Sequence, residues 1–143
     1  MTTRPPAPLA PWQHFVRRAL PAYWIFLFCV THFPRLALPA APVRSDWLAH
    51  AAAYGLLALL LWKFVESFRP RLGPHFAWAA AALLATYAAL DELTQPLAGR
   101  SAEFGDWLAD MLGVAVVLAL LEWRRRTRPA ARQNMEPPPP GPV

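Results

Sequence analysis

Three short sets of polar residues stand out because each recurs at helical spacing inside apolar sequence. Asp46, His50 and Tyr54 are spaced i, i+4, i+8. Tyr87, Asp91 and Gln95 repeat that spacing, with Glu92 beside Asp91. Asp106, Asp110 and Gly113 follow at i, i+4, i+7, and Arg100-Ser101 lies between the second set and the third. At these intervals each set forms a stripe on one helical face. Paired carboxylates with an imidazole can share protons or carry out general acid–base steps. The same groups can ligate a divalent ion. Arg100 can meet a carboxylate or a phosphate with two parallel donors.

Several of these residues also have an ordinary structural use. Asp46 and Asp106 suit helix N-caps, where negative charge meets the macrodipole favourably. His50 suits an interhelical hydrogen bond and Gly113 a close helix approach. Tyr54 and Tyr87 suit packing with a polar tip. Asp91 and Glu92 fit no such use, because they fall at a helix C-terminus, where the macrodipole disfavours negative charge. Asp110 lies one turn inside its helix. An ionisable group at membrane depth costs roughly a few kcal/mol or more unless it is paired or hydrated.

The elements that must position these residues are membrane helices. Of 143 residues, 56% are hydrophobic and only 16% charged, against roughly 45–50% and 25% in soluble domains. Mean hydropathy is +0.24. Ten of the 17 prolines sit in the two tails, so the middle of the chain is more apolar still. This composition argues against a soluble enzyme domain and against a disordered chain. A single cysteine, Cys29, excludes an intramolecular disulfide and any multi-cysteine metal cluster. Four apolar segments, about 19–33, 47–64, 74–93 and 106–123, approach the roughly 17–25 residues that span a bilayer as a helix. No strand alternation appears, so a β-barrel is not expected.

The first segment is the shortest and could be the core of a signal peptide. The 18 residues before it are long and proline-rich for that purpose, and Pro39-Ala40-Ala41-Pro42 is a poor cleavage site. A retained helix, kinked or ended near Pro34, is the expectation. The fold class is therefore an all-α membrane protein, a bundle of four transmembrane helices over 19–123. A proline-rich basic tail over 1–18 precedes it. A basic, then proline-rich tail over 124–143, extended and mobile, follows.

Charge orients the bundle. Arg4, Arg17, Arg18, Lys63, Arg69, Arg71, Arg124, Arg125, Arg126, Arg128 and Arg132 fall on one side, and only Arg35, Arg44 and Arg100 on the other. The positive-inside rule then makes both termini cytoplasmic. Lys63, Glu66, Arg69 and Arg71 form a solvated cytoplasmic loop in this scheme. Trp47 and Trp107 open the second and fourth helices, and Trp62 and Trp123 close them. Each pair spans about 22–24 Å, near the separation of the interfacial belts. All three polar stripes then arrive at the extracytoplasmic end, with Arg100 over them as a partner for an acid. The net charge of +5 lies in juxtamembrane segments facing anionic headgroups, and no nucleic-acid motif accompanies it.

The order of these motifs resembles the VanZ-like family of small bacterial membrane proteins, whose name-giver is a teicoplanin-resistance protein. Asp46, His50 and Tyr54 match its first element. Asp91-Glu92-Leu93-Thr94-Gln95 matches its Asp-Glu-x-x-Gln element, and Arg100-Ser101 its loop pair. Asp106, Asp110 and Gly113 match its last element. The likeness covers about 46–121 and leaves the first helix and both tails outside the motifs. Family members often have Lys after the first Asp and Phe after the His, where this chain has Trp47 and Ala51. The resemblance implies a role in cell-envelope physiology, in a bacterial cytoplasmic membrane, with glycopeptide resistance as an associated phenotype.

Three functions compete. The first is a non-enzymatic protein that binds an outer-leaflet polar group, such as a lipid-linked cell-wall intermediate or a glycopeptide. Asp46, His50, Tyr54, Asp91, Glu92, Gln95, Arg100, Ser101, Asp106 and Asp110 would form its site. The second is a membrane-embedded hydrolase or transferase acting on an envelope lipid, with Asp91, Glu92 and His50 as candidate catalytic groups. No nucleophilic Ser or Cys is placed for it. The third is a metal or proton-relay site built from His50 with Asp46, Asp91, Glu92 and Asp110, whose spacing selects no particular metal. The first is the favoured reading. It calls for membrane lipids as partners, no cofactor and no nucleic acid, and leaves the oligomeric state open.

Overall fold

The computed structural model describes the backbone of residues 8–32, 43–69 and 71–133, and the side chains of these except 43–46 and 128–133. Four helices account for nearly all of it: α1 (Pro11–His32), α2 (Val43–Phe68), α3 (Phe76–Thr94) and α4 (Phe104–Gln133). A short 3-10 helix, Gln95–Ala98, extends α3. No strand occurs among the described residues.

The helices alternate in direction. The start of α1 meets the end of α2, where Arg17 Nη2 donates to the Ser67 carbonyl at 2.7 Å and its guanidinium covers the Phe68 ring at 3.7 Å. The end of α1 meets the end of α3 through Thr31 and Asp91. The starts of α2 and α4 lie together through His50 and Asp110. Thus α1 and α3 run one way and α2 and α4 the other. The three polar stripes meet at one end, and the basic residues Arg17, Lys63 and Arg125 lie at the opposite end.

The α2 and α4 helices pack most intimately. A Cβ on Gly113 would fall 1.9 Å from the Ala51 carbonyl oxygen, so only glycine admits this approach. Gly55 sits one turn further along the same seam, facing Val117 and the Gly113 carbonyl. Around the seam, Tyr54, Leu57, Ala58 and Trp62 of α2, Leu84 and Ala88 of α3, and Val114 and Leu118 of α4 form one buried core. Leu20 and Leu27 of α1 complete it.

Outside this core the surface is itself apolar. Ile25, Phe26, Leu48, Trp78, Leu93, Leu112 and Leu120 are all exposed. That pattern fits a hydrocarbon surround and not water. Trp47–Phe68, Phe76–Ala98 and Phe104–Thr127, of 22, 23 and 24 residues, are long and apolar enough to cross a membrane. The chain is thus built as a helical membrane protein. The first helix is as long as these, but Gln13, His14, Arg17 and Arg18 occupy its opening turns, which shortens its apolar stretch.

Two boundaries differ from expectation. The tail expected over 1–18 is helical from Pro11. Proline suits the first helical position, where its missing N–H costs nothing. Gln13 Oε1 also accepts the Ala10 N–H at 2.8 Å, which is half of a capping box. The tail expected over 124–143 is helical as far as Gln133. Glu122 pairs with Arg125 at 2.7 Å and Arg126 at 2.8 Å, at the i+3 and i+4 spacings that support a helix beyond its apolar run. Residues 1–7 and 134–143, and Pro34 with its expected helix end, lie outside the described residues.

Candidate functional site

The acidic end of the bundle is assembled from four helix ends. On α2, His50 stands one turn above Tyr54, facing α4. His50 Nδ1 lies 3.0 Å from Asp110 Oδ1, and Nε2 lies 3.6 Å from Asp106 Oδ2. Asp110 is 1% exposed, and Asp106 is also buried. The i, i+4 spacing of the two aspartates presents both to the two nitrogens of one imidazole. Asp106 also lies in the first turn of α4, where its charge suits the macrodipole.

The end of α3 supplies the other two acids, both buried. Glu92 accepts Gln95 Nε2 at 3.0 Å through Oε1 and the Glu103 backbone N–H at 3.0 Å through Oε2. This holds the end of α3 to the start of α4. Gly99 is the one described residue with positive φ, at 76°, and lets the chain reverse after the 3-10 turn so that Glu103 returns to Glu92. Asp91 faces the other way, toward α1. It accepts Thr31 Oγ1 at 3.0 Å and lies 3.6 Å from His32 Nδ1. His32 Nε2 is 2.9 Å from Thr94 Oγ1.

Of the residues expected in the site, His50, Tyr54, Glu92, Gln95, Asp106 and Asp110 come together between α2, α3 and α4. Asp91 stands on the same end but is engaged with α1. Arg100 is not aimed at an acid. Its Nη1 lies 3.4 Å from the Val30 carbonyl oxygen and 3.3 Å from that of Thr31, capping the C-terminus of α1. Ser101 is exposed and donates to Glu103 Oε1 at 3.4 Å, away from His50. The Asp46 side chain lies outside the described residues.

Sequence reasoning passed over Thr31 and His32. Both close an apolar helix running in the same direction as α3, so the alternation that gathered the other stripes would have delivered them to the same end. The Glu103 contact was invisible, because a backbone N–H has no signature in residue type.

Two features define what this arrangement can do. The first is electrostatic. Asp91, Glu92 and Asp110 meet histidines, a hydroxyl, an amide and a backbone N–H, and among the described residues no lysine or arginine pairs with them. One atom each from His50, Glu92 and Asp110 fall within 4.8 Å of one another. The second is steric. A cleft of about 340 Å³ opens between α3 and α4, lined by Ala89, Leu93, Ala102, Phe104 and Trp107, with Glu92 and Glu103 in its wall. Acceptor oxygens therefore stand beside apolar space.

Tyr54 adds a third feature. It is 1% exposed, and its hydroxyl meets no hydrogen-bond partner among the described residues; the ring centre of Tyr87 is 6.0 Å away. A buried polar group without a partner costs about 1–3 kcal/mol and needs a reason. Comparison of the chain with protein-family models, with curated proteins and with solved structures finds no match.

Proposed function

We propose that this chain is a VanZ-like protein of a bacterial cytoplasmic membrane. In this reading α1 also crosses, both termini are cytoplasmic, and the acidic end faces outward. Its work is to bind the polar part of an envelope lipid or lipid-linked cell-wall intermediate. The observation that carries the reading is the meeting of buried Glu92, Gln95 and Asp110 with half-buried His50, where Glu92 also lines an apolar cleft in the same helix ends. Carboxylate oxygens accept hydroxyl, amide or ammonium donors. The cleft between Leu93, Phe104 and Trp107 suits the first carbons of a lipid chain. Orientation is supported by the basic residues at the opposite end.

Native mass spectrometry tests the binding. The full chain is released from its membrane in mild detergent beside the Asp91→Asn/Glu92→Gln double variant. A discrete lipid adduct on the wild type, lost in the variant, is the expected result. Identical spectra from two equally stable proteins would sink the reading. Teicoplanin resistance is the phenotype attached to the resemblance. It is tested by expression in a susceptible host, where an unchanged inhibitory concentration removes that part.

A further inference from the structure

From the side chains around His50, we infer that the acidic end holds a divalent transition-metal ion, of the zinc or manganese kind, on His50 Nδ1, Asp110 and Glu92. The inference deepens the proposed binding site and rests on the reading of this helix end as one.

Geometry comes first. Three ligand atoms of the right chemistry lie within 4.8 Å of one another, and the His50–Asp110 pair is already at 3.0 Å. A tetrahedral ion with bonds of about 2.1 Å separates its ligands by about 3.4 Å, so closure asks Glu92 for a movement of about an ångström. One imidazole with two carboxylates is a ligand set that such ions accept. The other imidazole nitrogen, Nε2, faces Asp106 Oδ2 at 3.6 Å. That is the carboxylate–histidine–metal arrangement in which an outer acid fixes tautomer and ring orientation. Asp106 is therefore a positioning residue.

Charge comes second. Glu92 and Asp110 are both buried, no lysine or arginine among the described residues pairs with either, and Asp91 is within electrostatic reach of Asp110. A dication between Glu92 and Asp110 removes the repulsion that two buried carboxylates would otherwise carry.

The independent observation is Tyr54. Its hydroxyl is buried and unpartnered, one turn along α2 from His50. Helical side chains lean toward the helix N-terminus, and the N-terminus of α2 is at this end of the bundle. The phenol thus leans toward the end of α2 that carries His50, and it is within electrostatic reach of Asp91, Asp110 and Glu92. There it meets a water or ligand oxygen on the ion. Open positions on the ion would also receive a phosphate of a lipid-linked ligand, which bare carboxylates repel.

The test uses the full chain in mild detergent, stripped with a chelator and then equilibrated with Zn²⁺, Mn²⁺ or Co²⁺. We expect about one ion per chain by elemental analysis, a rise in unfolding temperature and a Co²⁺ absorption spectrum with nitrogen ligation. His50→Gln should weaken Co²⁺ affinity by more than about 100-fold, and Asp106→Asn by about 10- to 100-fold. No stoichiometric ion and no thermal shift in the wild type overturn the inference whatever the variants do. Undiminished binding in both His50→Gln and Asp110→Asn overturns it too, since the ion is then held elsewhere. Native spectra in chelator separate the two readings. A lipid adduct on a chain that takes up no ion leaves the ligand reading standing and ends this one. An ion without any adduct does the reverse.

Discussion

Replacing Gly113 by alanine tests the seam on which the acidic end depends. The added Cβ would lie 1.9 Å from the Ala51 carbonyl oxygen, 2.7 Å from its carbonyl carbon and 2.9 Å from its Cα. All three are backbone atoms, so no side-chain rotation relieves the clash. Ordinary contact begins at 3.4 Å, and α2 must retreat from α4 by about 1.5 Å. His50 precedes Ala51, and Asp110 lies one turn before Gly113. The same retreat would stretch the His50–Asp110 contact from 3.0 Å to about 4.5 Å and break it. Overpacking of this kind costs about 1–3 kcal/mol, and the broken buried pair about 1–3 kcal/mol more. Helix propensity alone predicts the opposite sign, since alanine is favoured over glycine by about 1 kcal/mol. Thermal unfolding in detergent separates the two, with acylation of His50 by diethylpyrocarbonate as a local readout. A Gly113→Ala protein as stable as wild type, with His50 no more reactive, would refute the seam. Gly55→Ala is the companion: its Cβ meets Val117 Cγ2 at 3.3 Å, and a cost under about 1 kcal/mol is expected.

Arg100→Ala should remove the cap on α1 and cost about 1 kcal/mol, read as faster amide exchange confined to the turn ending at His32. In chelator-treated protein, Tyr54→Phe should leave stability unchanged or raise it by up to about 1 kcal/mol, because the hydroxyl lost has no partner; a loss above that in thermal unfolding contradicts the orphan assignment. A cysteine at Ser101, in a Cys29→Ala background, should react with an impermeant maleimide added outside intact cells, while one at Thr127 should require permeabilisation. The reverse pattern would invert the proposed topology.

Much of this architecture could be read from hydropathy and spacing. The apolar runs located α2 and α3 at both ends and α4 at its start, and the period of 3.6 brought His50, Glu92 and Asp110 to one end. Gly113 permits the close approach expected of it. What escaped had physical reasons. Helices outrun their apolar cores wherever caps or ion pairs sustain them, as Gln13 does for α1 and Glu122 for α4. Arg100 looked like the partner of an acid because pairing rules compare side chains. It went instead to backbone carbonyls, which residue types cannot display. Thr31 and His32 were missed because they are single polar residues at a helix end, without a repeating stripe.

The parallel pairing of α2 with α4 has a consequence for biogenesis. These two helices are neighbours in the bundle but are separated in the chain by all of α3. A ribosome delivers α2 and α3 to the bilayer before α4 exists. During that interval His50 lacks Asp110, Glu92 lacks the Glu103 amide, and the notch at Ala51 stands open to lipid. Polar groups in that state invite retention by the insertion machinery or capture by membrane proteases. Entry of α4 ends the exposure at a stroke, since it brings the glycine, the two aspartates and the amide together. The last helix therefore completes the acidic end, and chains cut short before Phe104 lack the Asp110 partner of His50 and the Gly113 face of the seam.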